Sequence, residues 1–306
     1  MFYTMTLNPA LDYNMTLNEF RPEMVNRSAK EEMIPGGKGL MVSRMLKNLG
    51  GESTALGLVA GFTGAELIRM VHEFGIRTNF VSLPEGMTRI NVKLWGALEG
   101  EINAAGPECD EKSLQALFEK LSVLTKEDTL VLSGSVPASL PKDVYVEMMK
   151  LAKAKGANVV VDATGELLRN TLKHGPLLVK PNHHELGELY GVQLKTKEEV
   201  MIYAKKMRME GAKNVLVSMA GDGAVLAAED GSVWFGEAPK GTVVNTVGSG
   251  DSMLAGFLWR FTETKSAEEA FKTGIASGSA SAFSAELGTK DEVEKLLCGV
   301  RVKRVE

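Results

Sequence analysis

The sequence predicts an α/β fold, a mainly parallel sheet with helices on both faces, and three observations predict it. From Leu114 to Ser218 helix-like and strand-like segments alternate, a pattern that argues for parallel strands joined by right-handed helical crossovers. The strand cores LVL (130–132), VVV (159–161), LLV (177–179) and VLV (215–217) are continuously apolar, as strands are when helices cover both faces. Polar residues follow each core at once: Ser133-Gly134-Ser135, Asp162, Lys180-Pro181-Asn182, and Ser218 ahead of Gly221 and Gly223. In open parallel sheets ligands bind beyond the carboxyl ends of the strands. Helix caps would use the same residue types.

Each element follows from local pattern. Phe2 to Leu7 reads as a strand, ended by Asn8-Pro9, because proline cannot donate to a ladder. Tyr13 to Leu17 alternates apolar and polar, as a half-buried strand does. Met24 to Ile34 is only weakly periodic. Leu40 to Leu49 reads as a helix stopped by Gly50-Gly51. Ser53 to Val59 is a strand. Thr63 to Phe74 is a helix with Leu67, Met70, Val71 and Phe74 on one face, which leaves His72 on its solvated side. Ile76 to Leu83 reads as one strand. Thr88 to Leu94 alternates with period two, with Ile90, Val92 and Leu94 on one side and Arg89, Asn91 and Lys93 on the other. The polar side is either a solvent face or the cover of a site for an anion. Helices are expected at 114–124, 142–155, 167–172, 183–190 and 197–210, and a hairpin at 225–235. Two further helices close the chain, one ending near Arg260 and one over 267–283 rich in small residues.

Composition excludes several classes. The chain has 306 residues, enough for one large domain or two modest ones, and its 44% hydrophobic and 24% charged content is ordinary for a soluble globular enzyme. Basic residues number 35 and acidic 39, for a net charge of −4. No basic excess points to nucleic acid. Cys109 and Cys298 match no metal spacing and suit a reducing compartment. The N-terminal residues carry no signal-peptide pattern, and no apolar run approaches the ~20 residues of a membrane helix. These features lead us to expect a cytoplasmic protein.

Two glycine-rich stretches carry the chemistry. In Asn245 to Phe257, NTVGSGDSMLAGF, the turn Gly248-Ser249-Gly250 opens a helix at Asp251. Glycines let backbone amides converge, and a helix N-terminus adds unpaired N–H groups, so together they form an anion site. Asp251 would repel a bound phosphate, yet it fits as a base that takes a proton from an attacking hydroxyl. Read locally, the same residues could also form an ordinary capped turn. Pro35-Gly36-Gly37-Lys38-Gly39 is a second candidate cradle without Walker spacing, or else a flexible turn with a solvated lysine.

Taken together, these residues resemble the ribokinase-like sugar kinases of the phosphofructokinase-B family, across essentially the whole chain. PGGKG (35–39), TRIN (88–91), SGSVP (133–137), KPN with Glu185, SMAGDGA (218–224) and NTVGSGD (245–251) fall in the family's order. LNPALD, TRINVK and KPNHHEL look most like its 1-phosphofructokinases, with tagatose-6-phosphate kinases close by. The resemblance implies a three-layer α-β-α sandwich with a small β lid, formed by about 12–35 and 88–106 within a single domain of residues 1–306. It implies ATP-dependent phosphorylation of a ketohexose phosphate, fructose 1-phosphate to fructose 1,6-bisphosphate foremost, with Asp251 as base and Gly248, Ser249 and Gly250 as anion hole. Asp12, Gly37, Lys38, Arg89 and Ser135 match substrate positions. Lys180, Asn182, Ser218, Gly221, Gly223 and Ser277 match the ATP region. Glu185 matches a Mg²⁺ position acting through water. It further implies a homodimer through paired lids.

Two positions depart from the family pattern. Met41 stands where the family carries a sugar-holding asparagine, and Ala220 stands at a glycine position of the ATP loop. Tagatose 6-phosphate or fructose 6-phosphate as acceptor, and a non-catalytic binder of nucleotide or sugar phosphate, are the competing readings.

Overall fold

A computed structural model describes residues 1–306. Its strands are β1 (Phe2–Thr6), β2 (Ala10–Leu17), β3 (Lys30–Gly36), β4 (Ser53–Ala60), β5 (Arg77–Thr78), β6 (Val81–Leu83), β7 (Arg89–Gly96), β8 (Gly100–Ile102), β9 (Thr129–Ser133), β10 (Asn158–Asp162), β11 (Leu178–Val179), β12 (Asn214–Ser218), β13 (Ala224–Ala227), β14 (Val233–Gly236) and β15 (Val302–Arg304). Its helices are α1 (Lys38–Asn48), α2 (Gly61–Glu73), α3 (Glu111–Lys120), α4 (Val144–Ala154), α5 (Gly165–Leu172), α6 (His183–Tyr190), α7 (Lys197–Met209), α8 (Ser249–Thr264), α9 (Ala267–Phe283) and α10 (Lys290–Leu297).

The main sheet runs β15-β14-β13-β12-β11-β10-β9-β1-β4-β5, with β6 also on β4. From β12 to β5 all pairings are parallel, and the antiparallel β13, β14 and β15 extend one edge. Each face buries its own core. Leu130, Leu132, Val159 and Val161 face α3–α7 in a cluster of 39 residues. Val131, Val160, Leu178 and Leu216 face α1, α8, α9 and α10 in a cluster of 26. The alternation explains why these strands read as unbroken apolar runs: both sides are buried. The result is the three-layer arrangement expected from the sequence.

The expected strand over Ile76 to Leu83 is two short pieces in one register, Ala55↔Thr78 and Leu58↔Val81, with a gap at Asn79-Phe80. Asn79 N still donates to Ala55 O at 2.8 Å. Sequence reading did not place β15 or α10. His72 is exposed as expected, with Nε2 at 2.7 Å from Thr78 Oγ1.

A separate four-stranded sheet, β3-β2-β7-β8, stands over the carboxyl ends of the main strands. β2 and β7 run parallel, with Asp12 opposite Asn91 and Asn14 opposite Lys93. The burial of β7 resolves its two faces. Asn91 and Lys93 are buried at 6% and 8% exposure. Val92 and Leu94 are half-buried on the opposite side, beside Met33 and the exposed Ile102. The polar face is thus the inner one at Asn91 and Lys93; on the apolar side Ile90 packs on the Leu11–Leu67 core, while Val92 and Leu94 point away from the body.

Candidate active site

The strand ends and the N-terminus of α8 enclose two cavities. One, of about 910 Å³, is lined by Lys180, Asn182, Ser218, Gly221, Gly223, Ser249 and Gly250. The other, of about 450 Å³, lies beneath the small sheet and is lined by Asn8, Asp12, Gly37, Met41, Arg89, Lys93 and Ser135. Lys38, Glu185 and Asp251 line both, so the cavities meet at these three side chains.

Gly248 caps α8 in the left-handed region (φ 76°), which glycine adopts without strain. The turn closes with Ser249 N donating to Thr246 O and Ser252 N to Gly248 O, at 3.2 and 2.8 Å. The amides of Gly250 and Asp251 between them have no backbone acceptor, as expected of a helix's first turn. They therefore remain available to an anion. Ser249 and Gly250 line the larger cavity, whereas Gly248 lies behind it, against Met41 and Leu287.

Asp251 is buried at 8% exposure. Burial, and then the negative charge of Asp162, push its carboxyl up to about 7, with Lys180 and Lys38 opposing. Asp162, at the end of β10, is completely buried. Its Oδ1 lies 3.0 Å from Lys38 Nζ and its Oδ2 3.2 Å from Lys180 Nζ. Burial pushes this carboxyl upward, but the two ammonium groups together outweigh burial and hold it below the usual range. The Asp162 charge in turn raises the affinity of Lys38 for its proton.

Around the smaller cavity, Asp12 Oδ1 accepts from Asn91 Nδ2 at 2.8 Å, and its Oδ2 pairs with Lys93 Nζ at 3.2 Å. Arg89 spends its donors on carbonyls: Asn8 O at 2.9 and 3.2 Å and Ala104 O at 3.1 Å. Burial pulls its pKa down, with the charge of Asp12 opposing, and no carboxylate forms an ion pair with it. A half-buried guanidinium held by neutral acceptors favours an incoming anion. Met41 puts an apolar wall on this cavity and packs toward Gly248.

Asn182 and Glu185 form a capping box on α6: Glu185 Oε2 accepts from Asn182 N at 2.8 Å, and Asn182 Oδ1 from Glu185 N at 2.9 Å. The KPN…E spacing therefore has a structural role, and one Glu185 oxygen remains for the cavities. Gly221 faces open space, so a close approach from the larger cavity is possible there. Gly223 is demanded by its φ of 99° and by its packing against Gly236 O.

Ser277, expected in the ATP region, does not line the larger cavity. It is fully buried in the α8–α9 contact, with its hydroxyl against Gly256. Its neighbours Gly278 and Ser279 line the larger cavity instead. Helical geometry accounts for the difference, since consecutive residues point about 100° apart. Sequence reading did not assign Asp162 to the site, and it left Asn91 and Lys93 open between a solvent face and the cover of an anion site. Asp162 was visible only as one polar strand end among several.

Comparison with known proteins adds four findings. Residues 5–293 match the family model described as pfkB family carbohydrate kinase. The chain is 45% identical over 305 residues to the 1-phosphofructokinase of Bacillus subtilis, covering all of both chains. It is 34% identical to the D-tagatose-1-phosphate kinase of Bacillus licheniformis, covering 99% of each. Among solved structures, Arabidopsis thaliana ribokinase superposes with a TM-score of 0.77 at 19% identity, over 97% of this chain and 98% of that one, which shows the shared fold alone.

Proposed function

The chain belongs to the pfkB family of carbohydrate kinases, and on that premise we propose that it transfers the γ-phosphoryl of ATP to fructose 1-phosphate, giving fructose 1,6-bisphosphate and ADP. The observation that carries this reading is the position of Asp251, on the shared wall of two cavities, beside the free amides that open α8. Two similar relatives are named for ketohexose 1-phosphates, which favours a C1 phosphate over the C6 phosphates also considered.

In this reading the 910 Å³ cavity holds ATP, with Lys180, Asn182, Ser218 and Gly221 along it, and the 450 Å³ cavity holds the sugar phosphate. Asp12, Gly37, Lys38 and Ser135 contact the sugar, and Arg89 grips its existing phosphate. Phosphoryl transfer needs positioning and charge neutralisation above all. The acceptor hydroxyl gives its proton to the Asp251 carboxylate as its oxygen bonds to the γ-phosphorus. The bond from that phosphorus to the bridging oxygen breaks, and ADP leaves with the electron pair. A positioned base typically contributes ~10²–10⁴-fold. The Gly250 and Asp251 amides and Lys38 neutralise charge on the transferred group.

Mg²⁺ fits this donor set in one way. No three acidic or histidine side chains gather into a cage, while Glu185 keeps one uncommitted oxygen at the cavity junction. Mg²⁺ favours few carboxylates with waters and phosphates, so Glu185 would hold it through water. Bound there, the ion would neutralise phosphate charge.

The small sheet acts as a lid whose polar inner face completes the sugar cavity. A lid excludes water, which would compete as acceptor. Its outer face of Tyr13, Met15, Val92 and Leu94, with its edge strands, suits pairing with the same face of a second copy.

The deciding experiment is a panel of fructose 1-phosphate, tagatose 1-phosphate, fructose 6-phosphate, tagatose 6-phosphate and fructose with ATP and Mg²⁺, following ADP release. Highest kcat/KM for fructose 1-phosphate is expected. A higher value for another sugar reassigns the acceptor. ADP release from none of them, with binding retained, leaves a non-catalytic binder.

A further inference from the structure

Asp162 has no part in the chemistry described above, yet it is completely buried and holds Lys38, one of the three side chains at which the two cavities meet. Its oxygens are divided between two cations from different elements. Lys38 opens α1 and lines both cavities, while Lys180 follows β11 and lines the larger one. Gly134, on the wall of the sugar cavity, is tied to the same residue, its N–H donating to Asp162 O at 2.9 Å. A buried carboxylate is costly unless paired, so a residue used only for packing would not need this charge.

We propose that Asp162 is a positioning residue: it draws Lys38 and Lys180 together at the phosphoryl-transfer point and keeps both cations from neutralising Asp251. The inference rests on the kinase reading above. Without the Asp162 charge, two ammonium groups would stand free to pair with Asp251. A base neutralised in this way binds a proton weakly and abstracts one poorly. The charged groups around Asp251 act in both directions. Asp162 from β10 raises its proton affinity, Lys180 and Lys38 lower it, and Glu185 of α6 acts on Lys38.

The test is the acid limb of kcat/KM for the best acceptor in the panel, measured from pH 5 to 9. Wild type should lose activity as pH falls through about 7. Asp162→Asn keeps the shape and removes the charge, and its limb should move to lower pH by ~1 unit or more, with a lower plateau. A limb left at the wild-type pH, with rates alone reduced, would overturn the proposal. So would a loss confined to Mg²⁺ affinity. If D162N does not fold, the double variant D162N/K180Q, which removes the buried Lys180 cation together with the Asp162 anion, is compared with K180Q. The double variant's limb should lie ~1 unit or more below that of K180Q, and coincident limbs would overturn the proposal. If no sugar gives turnover even in wild type, the kinase reading fails first, which separates the two failures.

Discussion

Replacing Asp251 with asparagine should stabilise the protein while disabling it, and the gain should depend on pH in a set direction. The folded protein raises the Asp251 carboxyl from 3.8 to about 7, through burial first and the charge of Asp162 second. Between those values the native state holds a proton that the unfolded chain has released. Wild-type stability therefore falls relative to D251N as pH rises through this window, and the gap is constant above it. Three units at ~1.4 kcal/mol each give a gap of up to ~4 kcal/mol. For 306 residues, with an unfolding entropy of ~2 cal/mol/K per residue, that is a rise in Tm of up to ~6 °C. Differential scanning calorimetry of both proteins at pH 4, 5, 6, 7 and 8 measures it. Near-coincident Tm values at pH 4 and a gap that opens toward pH 7 are expected. A gap independent of pH, or one in favour of wild type, would refute the reasoning that Asp251 is ionised at a cost.

Two more predictions concern substrate and assembly. Arg89→Ala should raise KM for the sugar phosphate ~10–100-fold, the value of one or two charge-assisted hydrogen bonds, and leave KM for ATP nearly unchanged; initial-rate kinetics with each substrate varied would show otherwise. Ile102→Asp alters a side chain 65% exposed on the outer face of the small sheet, so it should leave the monomer fold intact by circular dichroism and shift sedimentation from dimer to monomer. A dimer that persists in this variant would place the interface elsewhere.

The main sheet was legible because its strands are buried on both faces, which leaves unbroken runs such as VVV at 159–161. The small sheet was harder to read. In β3, Lys30, Glu31, Glu32 and Met33 are all exposed, so no periodic burial marks the strand. β7 showed its period clearly but not its orientation, since burial of Asn91 and Lys93 depends on Asp12, far away in sequence. α10 buries only Val293 and was missed, although Thr289 and Glu292 form a capping box that its sequence displays. β15 is an edge strand of three residues, mostly exposed, and carries no local signal. At the site, glycine stretches and strand ends identified the region, and the GGKG lysine found its partner in Asp162. The burial of Ser277 depends on the contact between α8 and α9, which the order of residues does not reveal.

The central claim is that Asp251 takes the acceptor's proton at the meeting point of the two cavities. Single-turnover phosphoryl transfer from ATP to fructose 1-phosphate in Asp251→Asn tests it most directly, with binding of both ligands checked by calorimetry. The account predicts binding constants within about threefold of wild type and a transfer rate lower by ~10²–10⁴-fold. Transfer at a rate close to wild type, with both ligands bound, would contradict it.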